Sequence, residues 1–149
     1  MRRACLVLLL TFLVASAALA GDAPLDGWQR DSDYNKLFNS KTLQVVRGTV
    51  ISLDRDLRPL PGMGAGFGVL IETTEKEKLA LHIGPAWFTQ NYRDDWKVQP
   101  GDQVEVRGSR IQMGDKEALM VVWGRKGDHV MTVRNHEGAP VWDIKLEGF

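Results

Sequence analysis

From Leu43 to Asp54 the chain reads LQVVRGTVISLD, rich in β-branched residues and without a helical period, so it predicts a strand. Gly48 inside it predicts a bulge or sharp bend, as needed where a strand curls around a small barrel. Shorter runs follow. FGVLIET (67–73) and KLALHIG (78–84) flank a charged turn, and Leu79, Leu81 and Ile83 alternate with Ala80 and His82, so one face is buried. In DQVEVRGSRI (102–111) Val104 and Val106 alternate with Glu105 and Arg107, and a bulge at Gly108 would swap the facing of Ser109, Arg110 and Ile111. After a turn at Gly114-Asp115, EALMVVWGRK (117–126) is apolar on both faces, as a strand covered on both sides would be. HVMTVRN (129–135) predicts a sixth short strand.

The connection between the third and fourth strands differs. Pro85 suits a first helical turn, and Trp87, Phe88, Tyr92 and Trp96 recur at roughly helical intervals ahead of Pro100-Gly101. Trp87 is expected to plug one end of the barrel, and Trp123 and Trp142 to be partly exposed. Short, bent strands with a short helical connection between strands 3 and 4 predict an all-β fold, a small five- to six-stranded OB-like barrel, where OB denotes oligonucleotide/oligosaccharide binding. Ahead of it, residues 21–43 are rich in Asp, Gly and Ser, with Trp28, Tyr34, Leu37 and Phe38 as exceptions. They predict an N-terminal arm with one helical turn capped by Ser32 or Asp33 and with Trp28 as its anchor.

The first residues predict an address. Arg2 and Arg3 precede an apolar run from Ala4 to Ala20 that ends in Ala18-Leu19-Ala20, the pattern of a signal peptide cleaved after Ala20. The expected organisation is a signal peptide at 1–20, an arm at 21–43 and a barrel domain at 44–149, in a periplasmic or secreted protein with no membrane span after cleavage. Cys5, the one cysteine of the 149 residues, falls in the signal peptide, which excludes thiol chemistry and disulfides from the mature chain. Lys plus Arg and Asp plus Glu are 19 each, and losing Arg2 and Arg3 leaves a slight acidic excess. That balance argues against a protein that coats nucleic acid.

Four segments carry a resemblance: Val46-Arg47-Gly48-Thr49-Val50, LHIGPAWF at 81–88, GDQVEVRGSRI at 101–111, and the Arg134-Asn135…Gly138…Pro140…Trp142 pattern. Together they resemble secreted bacterial OB-fold proteins. The resemblance implies an exported barrel that binds something, and it brings no catalytic set. The haem chaperone of cytochrome c maturation, another exported OB family, has a His followed four residues later by Tyr. Here His82, His129 and His136 are followed at that distance by Ala86, Val133 and Pro140.

The chemistry-bearing residues give no enzyme signature. The three histidines are far apart in sequence, so neither a metal nor a cofactor is expected. No serine lies in a nucleophile motif, and the carboxylate pairs sit among Lys and Arg. The glycine-rich stretch 61–68 leads into a strand instead of a helix, unlike a phosphate loop. The expected function is a non-enzymatic module that docks a protein partner or small ligand in the cell envelope. Its face would comprise His82, Arg110, Trp123 and Arg134 with the 59–68 loop above it. One alternative is a metal- or haem-associated accessory of an exported redox system using His82 and His129. Another is a binder of oligosaccharide, or of single-stranded nucleic acid, the latter using Trp87, Trp123 and Trp142 beside Arg47, Arg107, Arg110, Arg125 and Arg134.

Overall fold

A computed structural model describes residues 26–91 and 97–143. The signal-peptide expectation, and Tyr92 and Trp96 of the helical connection, lie outside the described residues. The elements are β1 (Leu43–Leu57), β2 (Gly66–Thr73), β3 (Lys78–Pro85), α1 (Ala86–Thr89), β4 (Gln103–Met113), β5 (Lys116–Lys126) and β6 (His129–Thr132). Among the described residues no helix is long and apolar enough to cross a membrane.

The six strands form one sheet in the order β3-β2-β1-β4-β5-β6, closed by an added pairing of β3 with β5. This is an all-β barrel with the short helix between the third and fourth strands, the architecture expected from the sequence. The closing seam is parallel and short, with Leu81 opposite Leu119 and His82 opposite Met120. The other ladders are antiparallel.

β1 makes the barrel possible by serving two partners. Gly48 is paired with both Thr73 of β2 and Val104 of β4. No bulge falls there; the irregularities of β1 lie between Val50 and Ser52 and between Asp54 and Leu57. Gly48 answers a close approach instead, since a Cβ would stand 2.5 Å from the Glu72 carbonyl oxygen. The register does slip at Gly108, but the extra residue belongs to β5: Arg107 faces Trp123 and Gly108 faces Val121, leaving Val122 unpaired. The change of facing therefore occurs in β5 and not in β4.

Two apolar clusters hold the molecule. Val50, Ile71, Leu81, Val106, Leu119, Val121 and their neighbours fill the barrel interior. Trp28, Tyr34, Met63, Ile111, Ala118 and Met120 form a second layer outside the barrel wall, where the arm lies on β4 and β5. Leu119 and Val121 thus point in while Ala118 and Met120 point out, and both sets are buried. That explains why β5 is apolar on both faces.

The arm is fixed by directed bonds as well as burial. The Trp28 indole Nε1 donates to the Gly64 carbonyl at 2.9 Å, and the Gly64 N–H donates to the Asp26 carbonyl at 2.8 Å. The expected turn is a 3-10 turn at Asn35–Leu37, but its N-cap is Tyr34, without a side-chain cap bond; Ser32 Oγ accepts from the Asn35 N–H at 3.1 Å one turn earlier. Gly66 admits the indole, because a Cβ there would come within 2.1 Å of Trp28 Cζ2. Trp87 does not plug the barrel. It is 42% exposed on the four-residue α1, and its neighbour Phe88 packs against the interior.

Candidate functional site

The four residues expected to share a docking face do not share one. His82 is on the outward side of β3, as the alternation predicts, but Tyr34 of the arm covers it and leaves it 4% exposed. Tyr34 Oη and His82 Nδ1 are 3.1 Å apart. Burial, reinforced by the nearby Arg134 charge, pushes the His82 pKa down to about 4, and burial pushes the Tyr34 phenol up.

Arg134 is wholly buried. Its Nη1 donates to the Ile83 carbonyl at 3.2 Å and to the Val121 carbonyl at 2.7 Å. These carbonyls come one residue after the His82–Met120 pair, where the β3–β5 ladder stops. The guanidinium therefore continues the seam across the gap between the diverging strands. The ring of Trp142 lies 5.0 Å from its central carbon. Nε and Nη2 have no hydrogen-bond partner among the described residues, and burial lowers the Arg134 pKa.

Arg110 works at the other end of the same seam. It donates to both oxygens of Glu77, at 2.8 and 2.9 Å, and to Glu117. Glu77 immediately precedes β3 and Glu117 lies in the first turn-side residues of β5, so one guanidinium ties the two strand starts together. The Arg110 bond holds the Glu77 carboxyl below its usual range. His82, Arg110 and Arg134 are thus closure residues of the barrel. Sequence alternation marks the side of β3 that carries His82; it does not show that the arm folds back over it. The 59–68 loop likewise packs on the arm through Met63 and Gly64.

Trp123 is the exception, and the β5 bulge decides its direction. Val121 and Gly124 both face inward, opposite Gly108 and Val106, so the extra residue Val122 turns Trp123 outward. Its rank across the sheet is Val45, Arg107, Trp123 and Thr132 on β1, β4, β5 and β6. The next rank is Arg47, Glu105, Arg125 and Val130. The inward neighbours Val46, Val106 and Met131 belong to the interior, which fixes these two ranks on the outside.

This outer face is not covered by the arm. Val45 is 53% and Val130 58% exposed, at its two edges. Glu105 accepts from Arg47 at 2.5 Å and from Arg125 at 2.6 Å, and these bonds hold its carboxyl below the usual range. Arg107, beside Trp123, makes no ion pair among the described residues. A groove of about 610 Å³ opens along the face between Arg47, Thr49, Glu72, Lys76, Gln103 and Arg125. The arrangement suits recognition by aromatic burial and guanidinium hydrogen bonds. Val45 and Val130 carried no signal in sequence. The arginines carried one only as scattered cations, because the β5 bulge that gathers them around Trp123 leaves no mark in the residue pattern.

Among the described residues no group of three or more His, Cys, Asp or Glu is placed to hold a metal ion. Trp142 is half-buried, and its indole donates to the Trp28 carbonyl at 2.7 Å, so it belongs to the arm contact.

The model of the MamS/MamX magnetosome protein family matches residues 42–131. The chain belongs to this family. No curated protein and no solved structure matches it. The MamS/MamX segment runs from the start of β1 into β6 and contains Arg47, Arg107, Trp123 and Arg125, whereas Trp28, Tyr34, Arg134 and Trp142 fall outside it.

Proposed function

We propose that this MamS/MamX family member is an exported, non-enzymatic docking module that holds a protein partner of the magnetosome system on the outer face of β1, β4, β5 and β6. The observation that carries this reading is the outward turn of Trp123 at the β5 bulge, beside Arg107 and next to Arg125. An indole on the outer face of a sheet, flanked by guanidiniums and edged by the exposed Val45 and Val130, has the composition of an interface anchor. Export is supported by the basic-then-apolar residues 2–20. The absence of a nucleophile motif in the sequence supports a non-enzymatic role.

Site-directed photo-crosslinking in cells tests the reading. A photoreactive amino acid at position 123 should give a discrete protein adduct, and the same group at Trp87, exposed on α1, should not. Equal labelling at both positions, or none at position 123, would remove the face from consideration.

A further inference from the structure

We infer that the segment received by this face is acidic: an extended stretch of a partner protein whose carboxylates are spaced by apolar residues. The inference rests on the docking reading above and adds the chemistry of the partner. The two ranks around Trp123 hold three guanidiniums, Arg47, Arg107 and Arg125, against one carboxylate, Glu105. Among the described residues Glu105 is shared between Arg47 and Arg125, so neither is matched by a carboxylate of its own, and Arg107 has none. All three cations are arginines, whose planar forks pair two-pronged with carboxylates in a way a lysine cannot.

The spacing is as informative as the sign. Neighbouring strands stand about 4.8 Å apart, so the four-stranded face spans roughly 15 Å, the reach of four or five extended residues. A segment crossing it meets Val45, Arg107, Trp123 and Thr132 in one rank and Arg47, Glu105, Arg125 and Val130 in the other. Apolar and cationic positions interleave along the rank of Trp123, and alternating acidic and apolar residues complement it. A continuous polyanion fits less well, because Glu105 sits within the face and Glu72 beside it in the groove. One indole also offers a single stacking platform, where single-stranded nucleic acid takes several.

Fluorescence titration of the chain tests this, with the Trp123 signal isolated by subtracting the Trp123→Phe variant. The probes are a short peptide alternating Glu with Leu, its Lys-for-Glu counterpart, oligo-dT and phosphatidylglycerol vesicles. The acidic peptide should bind, weaken as salt rises, and lose roughly tenfold in affinity for each of Arg107→Ala and Arg125→Ala. The double variant Arg107→Glu/Arg125→Glu should instead prefer the Lys peptide. Unchanged melting of these surface variants shows that folding is not the cause. No binding of the acidic peptide, equal binding by the arginine variants, or stronger binding of oligo-dT or vesicles would overturn the inference. An adduct at position 123 formed through a segment without carboxylates would overturn it while leaving the docking reading intact. The loss of any adduct removes the docking reading itself.

Discussion

His82 shows how one side chain can make the arm sensitive to acid. Its imidazole is neutral under Tyr34, with a pKa pushed from 6.5 down to about 4 by burial and by Arg134. In the unfolded chain the same group takes its proton near 6.5. The unfolded state therefore binds more protons between those values, and stability present above pH 6.5 is lost as pH falls toward 4. The difference corresponds to roughly 3 kcal/mol. Chemical denaturation of the wild type and of His82→Asn across this range should show a steeper loss in the wild type; parallel curves would exclude His82 as the source. Arg134 presents the opposite problem, a buried charge held by two carbonyls and an indole face. Arg134→Ala leaves the Ile83 and Val121 carbonyls unpaired in the interior. A loss of about 3 kcal/mol is expected, read from the denaturation midpoint.

At the scale of elements, the arm is a separate layer whose value lies in the surface it covers. Trp28 joins it to Gly64 by a hydrogen bond, and the ring reaches Tyr34 at 5.1 Å and Trp142 at 6.5 Å. Trp28→Ala should cost about 3–5 kcal/mol and open residues 26–42 to protease while the barrel fragment stays resistant. Simultaneous digestion of arm and barrel would show that the two layers unfold as one. The strands were legible in sequence because β-branched runs and period-two alternation act locally, as in Leu79, Leu81 and Ile83. Trp28 was legible as an anchor for a similar reason, being an isolated large ring in a polar stretch. What covered His82 and Arg134 was not legible. Burial of an outward position depends on a segment some 50 to 100 positions away, and residue alternation carries no information about that contact. The bulges were half legible: Gly108 marked the slip, but Val122, the residue inserted in the facing strand, is an ordinary strand former.

For the whole molecule, closure and docking fall on different parts of the barrel, and this makes them separable in kinetics. The seam joins Leu81 to Leu119, 38 positions apart, through a two-pair parallel ladder with Arg110 and Arg134 at its ends. The β4–β5 hairpin, joined through the turn at Gly114, is local and long, running from Glu105–Arg125 to Met113–Lys116. Loop-closure entropy must be met before the seam repays it, so the hairpin should form on the way to the transition state and the seam after it. Arg110→Ala and Arg134→Ala should then speed unfolding by about tenfold for each 1.4 kcal/mol lost and leave folding nearly unchanged. Val106→Ala, in the hairpin and the interior, should slow folding. Trp123→Ala lies outside both the interior and the seam, so its folding and unfolding arms should overlay the wild type within about 0.5 kcal/mol. Stopped-flow denaturant series decide the matter: seam variants that slow folding as much as Val106→Ala would mean that the barrel closes before its hairpins are complete. A displaced chevron for Trp123→Ala would mean that the indole is part of the scaffold, and its role as a free anchor would fall with that result.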